Sequence, residues 1–113
     1  MASKTFTIKN YMMNLGYKMT ATFDGTEIRA RGVISCEGDD HRFLMYFLTE
    51  DSPIPNPFYN VATKTAAIFL PFGDMYQFVD LLRNEEPIYA YLDSDRPLWN
   101  YIGTTREPIG EGE

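Results

Sequence analysis

The sequence has one cysteine and one histidine among its 113 residues. A lone thiol excludes an internal disulfide, and with a lone imidazole it excludes the Cys/His sets of a structural zinc site. Basic charge is scarce as well: 10 Lys and Arg face 16 Asp and Glu, a net of −6. The shortfall lies in residues 50–113, with four basic and eleven acidic side chains, whereas residues 1–49 carry six and five. A polyanion is repelled by that second half, which disfavours nucleic acid as a partner. No apolar run approaches the roughly 18 residues that span a bilayer. The opening Met-Ala-Ser-Lys-Thr also lacks the apolar stretch of a secretory signal. The expectation is a cytoplasmic protein with no membrane partner. Neither G-x-G-x-x-G nor G-x-x-x-x-G-K occurs, so no nucleotide cofactor is expected.

What the chain has instead is aromatic side chains, 17 of them, against eight leucines and three valines. Residues Tyr17 to Phe23 alternate, with Tyr17, Met19, Ala21 and Phe23 on one side and Lys18, Thr20 and Thr22 on the other. That is the period-2 pattern of a half-buried strand. Asp24-Gly25 follows, a dipeptide suited to a type I′ hairpin turn. Thr26 to Cys36 then alternates again, with Ile28, Ala30, Gly32, Ile34 and Cys36 in phase. A two-residue turn sets Phe23 opposite Thr26, Ala21 opposite Ile28, Met19 opposite Ala30 and Tyr17 opposite Gly32, so both apolar sets share one face.

A second turn is expected in Glu37-Gly38-Asp39-Asp40. With Gly38-Asp39 at its tip, Cys36 faces His41, Ile34 faces Phe43 and Gly32 faces Met45. The third strand, His41 to Thr49, is apolar on both faces and therefore central. Val33, Leu44, Tyr46 and Leu48 on its far side require a cover: the helix, a second layer or another subunit. Thr5 to Met13 reads as an earlier strand. Pro53, Pro55 and Pro57 mark an extended arm, because alternate prolines cannot sit in a central strand. Tyr59 to Leu70 reads as one long strand.

Asp74 is placed to cap a helix, with Gln77 completing a capping box. Met75, Phe78, Val79 and Leu82 recur at helical spacing, and Glu85-Glu86-Pro87 ends the helix. Ile88–Leu92 and Leu98–Thr104 form a last hairpin. The expected fold is α+β: a mostly antiparallel sheet with one helix packed on it. In order, it comprises a meander of about four strands, the Pro-rich arm, a strand, the helix and a C-terminal hairpin. Residues 1–105 make a single domain, and residues 106–113 an acidic tail too poor in apolar side chains to fold.

Chemistry is thinly represented. In this register Cys36 lies opposite His41 beside Asp39 and Asp40, the raw material of a thiol–imidazole dyad. Cys36 is nevertheless in phase with the core, where an inert thiol is the usual outcome. Asp93-Ser94-Asp95 and Asp39-Asp40 offer oxygens, but a calcium loop needs six or more, so these are turn residues and no metal is expected. Met12-Met13 reads as flexible core filler. The chain is accordingly expected not to be an enzyme.

Two surfaces stand out. One is an apolar surplus that a single helix cannot hide: Val33, Leu44, Tyr46 and Leu48, with Trp99 and Tyr101, and with Tyr89 and Tyr91 near the last hairpin. Contiguous apolar surface of this kind calls for a partner. The leading expectation is thus an interaction module that forms a homodimer and binds a protein partner. The other surface is Lys18, Arg29, Arg31 and Arg42 beside Tyr46, a face on which single-stranded nucleic acid would stack and pair its phosphates. That alternative runs against the charge of the chain.

Overall fold

In the computed structural model, residues 2–104 are described; the tail at 106–113 lies outside the described residues. Eight strands and one helix follow in order: β1 Ser3–Thr7, β2 Asn10–Phe23, β3 Thr26–Gly38, β4 His41–Leu48, β5 Phe58–Asn60, β6 Thr65–Pro71, α1 Met75–Asn84, β7 Tyr89–Asp93 and β8 Tyr101–Gly103. They make two sheets, one of order β1-β7-β8 and one of order β2-β3-β4-β6-β5. The α+β class stands, with two corrections. The first and last strands leave the main sheet to form their own antiparallel layer, and the main sheet is mixed because β4 and β6 run parallel. A parallel neighbour needs a crossover. The proline arm supplies it, carrying the chain back so that β6 enters in the direction of β4.

The first turn is as the dipeptide demands, with positive φ at Asp24 (51°) and Gly25 (81°). Phe23 pairs with Thr26, Ala21 with Ile28 and Met19 with Ala30. Toward its base the hairpin departs from expectation. An irregularity between Leu15 and Met19 sets Leu15, rather than Tyr17, opposite Gly32. The second turn has Asp39 and Asp40 at its tip (φ 51° and 62°), so Gly38 pairs with His41 and Cys36 with Phe43, two residues from the expected register. The reason is steric: a Cβ on Gly38 would overlap the carbonyl oxygen of Thr7, so this glycine serves the contact between strands instead of the turn.

A second irregularity has larger consequences. Between Ala30 and Gly32 the β3–β4 ladder slips by one residue, leaving Arg31 as the extra residue of a β-bulge. Side chains before the bulge and after it therefore reach opposite faces. Ile34 and Cys36 enter a core with Phe43, Met45, Phe47, Phe6 and Leu92 between the two sheets. Ile28 and Ala30 join Leu48 on the other face, against Ala21, Phe23, Tyr46 and Phe69. The expectation that Ile28 to Cys36 share one face is thus overturned. Phe43 and Phe47 have no exposed surface, a burial that contributes roughly 2–3 kcal/mol each.

Helix α1 lies on the inter-sheet face. Met75 and Leu82 are buried in that core, with Phe78 and Val79 packed beside them, as the stripe predicts. Its seat is Gly32, where a Cβ would overlap the Met75 sulfur. The expected capping box does not form: Asp74 is itself helical (φ −85°, ψ −7°) and makes no side-chain cap bond. A 3-10 turn at Phe72–Asp74 leads into the helix instead. The single strand expected over 59–70 is broken at 61–64, where Lys64 has φ 58°.

Candidate interaction surface

Strand β2 forms one border of the five-stranded sheet, with β3 as its sole neighbour among the described residues. Its free side can be assigned group by group. A two-residue turn makes its flanking residues a hydrogen-bonded pair. Gly38 and His41 therefore exchange bonds, and alternation extends this to Cys36 with Phe43 and Ile34 with Met45. The odd-numbered Val33, Ser35 and Glu37 then aim their backbone groups at the β2 side. The amide of Lys9 donating to the Glu37 carbonyl (2.8 Å) follows this phase. Their partners on β2 are Asn14, Met12 and Asn10. Tyr11, Met13 and Leu15 are left with N–H and C=O turned outward.

The side chains along this border are apolar and uncovered: Met12 is 62% exposed, Leu15 67% and Tyr17 84%, with Met13 also exposed. Met12 lies toward one face of the sheet, and Met13 and Leu15 toward the other. From Asn10 to Tyr17 there is no charge. Strand edges that must stay single are shortened, bulged or charged. Here Lys18 and the irregularity at residues 16–18 guard one half of β2, and Asn10–Leu15 has neither device. The expectation of Met12-Met13 as core filler, and of Tyr17 on the core face, is thus overturned. The signal for this open edge in the sequence is the missing charge, which apolar periodicity alone does not weigh.

The expected surface residues are dispersed. Leu48 is 4% exposed and belongs to the second core, so it offers nothing to a partner. Tyr46 is half-buried, stacked on Phe69 (5.6 Å) with the Phe23 ring edge-on (5.1 Å). Burial raises the pKa of its hydroxyl against the opposing charge of Arg42. The hairpin tip thus supplies the cover that Tyr46 and Leu48 require. Val33 and Leu44 remain half-buried on the outer face, in rows that reach β2 at Asn14 and Met12. Trp99, beneath the Arg96 guanidinium (5.7 Å), and Tyr101, stacked on Tyr91 (5.3 Å), belong to the C-terminal segment that forms the other sheet.

The basic set does not gather into one surface. Arg29 is tied to Asp51, its Nε 3.4 Å from Oδ2 in an ion pair without hydrogen-bond alignment, while its Nη2 donates to the Asp51 carbonyl. The Arg31 guanidinium lies over the Phe72 ring (4.6 Å). Arg42 pairs with Glu37 (3.6 Å) at the far end of the sheet. Lys18 sits in the β2 irregularity, and Tyr46 lies under Phe23.

Nor do the reactive groups meet. Cys36 faces Phe43, not His41, and burial pushes its thiol up to about 12. His41 is satisfied on both nitrogens. Nδ1 can only donate to the Asp39 carbonyl (2.8 Å), so in the neutral ring Nε2 accepts from the Tyr59 hydroxyl (3.1 Å). A cleft of about 550 Å³ reaches His41, lined by Lys9, Glu37, Asp40, Arg42 and Lys64, and does not reach Cys36. Asp93 works as a turn residue, its Oδ1 accepting from the amides of Asp95 (2.9 Å) and Arg96 (3.1 Å). Among the described residues no cluster of His, Cys, Asp or Glu could hold a metal, and no helix is long and apolar enough to cross a membrane. Comparisons with protein-family models, with curated proteins and with solved structures find no match to this chain.

Proposed function

We propose that this chain is a non-enzymatic protein-interaction module that takes up a partner strand along β2. One observation carries the reading: Tyr11, Met13 and Leu15 present backbone groups that no strand among the described residues pairs, beside exposed Met12, Met13 and Leu15, on an edge without charge between residues 10 and 17. Strand addition draws affinity from main-chain bonds and selectivity from alternate side chains. The half-buried Val33 and Leu44 widen the apolar strip on the outer face. A reducing, cytoplasmic setting fits the single buried thiol. For nucleic acid, the dispersal of Arg29, Arg31 and Arg42 and the net charge of −6 weigh against a binding face.

The test is selection of ten-residue peptides from a random library on the immobilised chain. Alternating apolar sequences should be enriched and should slow hydrogen exchange at the amides of Tyr11, Met13 and Leu15. Met13→Pro should abolish the capture, because it removes an outward N–H that β3 does not use. Enrichment of no peptide, or protection confined to other strands, would overturn the reading.

A further inference from the structure

We infer that the strand taken up by β2 is β2 of a second copy, paired antiparallel about a two-fold axis at Asn14 so that two five-stranded sheets become one. This rests on the strand-addition reading and goes further by naming the occupant and the register.

The other borders among the described residues are short. Strands β5 and β8 have three residues each, and β1 has five, including Lys4. Only β2, with 14 residues, offers a length that fixes a register. An isologous contact brings the same surface to itself. With a net of −6 on each chain, two copies approach best where acids are absent, and Asn10–Phe23 holds no acid and a single Lys. A two-fold axis perpendicular to the sheet keeps each face on its own side, so odd residues must oppose odd residues and even must oppose even. Six such registers centre within the unguarded segment, one at each residue from Asn10 to Leu15.

Centring on Asn10 sets Lys9 against Tyr11, on Tyr11 sets Asn10 against Met12, on Met12 sets Lys9 against Leu15 and on Met13 sets Met12 against Asn14. Centring on Leu15 leaves Asn14 and Met13 opposite the irregular residues 16 and 17. Centring on Asn14 sets Asn14 against its own copy and Met13 against Leu15. Polar thus meets polar, apolar meets apolar, and like charges do not face each other. Asn10, Tyr11 and Met12 then lie opposite the irregular residues 16–18, which form no regular pairs. Met13 and Leu15 aim their backbone groups outward, so these two pairs would exchange about four main-chain hydrogen bonds. Asn14 falls at a non-hydrogen-bonded pair, where opposed Cα atoms come to about 4.5 Å and side chains are closest.

Sedimentation of the intact chain should give twice 13.0 kDa. Met13→Pro should weaken association at least tenfold. Leu15→Lys, at an exposed side chain, should do the same while its monomer still unfolds in one cooperative thermal transition, which guards against a variant that fails to fold. Under mild oxidation Asn14→Cys should form a disulfide-linked dimer, since the opposed Cα atoms lie within bridging range. Met12→Cys should not, because its copy lies four residues away along the strand, roughly 13 Å. The buried Cys36 does not compete. A monomer at every concentration would overturn the inference, and if that monomer still captured library peptides on β2 the module reading would stand alone. A dimer indifferent to both Met13→Pro and Leu15→Lys, or one cross-linked at residue 12 instead of 14, would also overturn it.

Discussion

The β2–β3 hairpin is one length of chain with two unlike halves. From Met19 to Ala30 its apolar side chains are covered by the chain itself: Phe23 meets the rings of Tyr46, Phe58 and Phe69, and Ile28 is fully buried. From Asn10 to Leu15, with Gly32 to Glu37 opposite, the cover stops at β3. Ile34 and Cys36 have no exposed surface, while Met12, Met13 and Leu15, one strand further out, are open. Hydrophobicity hardly distinguishes the halves. What differs is whether the chain has another element to lay over them. An apolar strand is therefore evidence of something to be covered, not of what covers it.

The comparison breaks most severely at the bulge. Deleting Arg31 would force Ile28 and Ala30 onto the face of Ile34 and Cys36. The expected cost is about 4 kcal/mol or more, the range of lost core packing, read as collapse of the cooperative thermal transition. Next, Phe23→Ala removes the ring that closes the tip half over Tyr46 and should lower stability in urea by about 2–3 kcal/mol. Its mirror in the open half is Leu15→Lys, which should change the stability of the monomer by less than about 0.5 kcal/mol while lowering the apparent mass in solution. The buried thiol sharpens the contrast at no structural cost. With its pKa pushed up to about 12, Cys36 should ignore a thiol reagent at pH 8 in the folded chain and react once denaturant exposes it.

The smallest effect is in acid. Asp51, which anchors Arg29 and hence the tip half, has its carboxyl lowered first by the hydrogen bond from the Thr49 hydroxyl, with the Arg29 charge adding to it against desolvation. A carboxylate lowered on folding contributes stability above its unfolded pKa, and that contribution is lost as pH falls through the folded value. Acidification should therefore loosen the Arg29 amide, bonded to Ser52 (2.9 Å), before those of Ile34 and Cys36. Hydrogen exchange at pH 5 and pH 3 would read the order.

Particular elements show why part of this was legible. The Asp24-Gly25 turn and the three pairs beside it follow from local φ requirements and parity, and the helix stripe follows from its spacing. The second turn slipped because Gly38 answers to Thr7, a residue far away in sequence. The bulge at Arg31 lies beside Gly32, and a glycine inside a strand is a mark of a bulge or a close approach; Arg31 itself fits a regular strand as well as a bulge. Of the expected surface, Leu48 lies beneath the chain's own tip, whereas Val33 and Leu44 stay partly open.

Side-chain alternation, turn chemistry and composition were enough to determine an aromatic α+β chain, the tip of its first hairpin, its helix and the burial of its thiol, because each depends on neighbours within a few residues. The division into two sheets, the parallel entry of β6, the change of face at Arg31 and the open half of β2 were decided only in three dimensions. A period of two distinguishes the sides of a strand but carries no information about which side another element reaches. That depends on contacts between residues as distant as Gly32 and Met75, or Phe23 and Phe69.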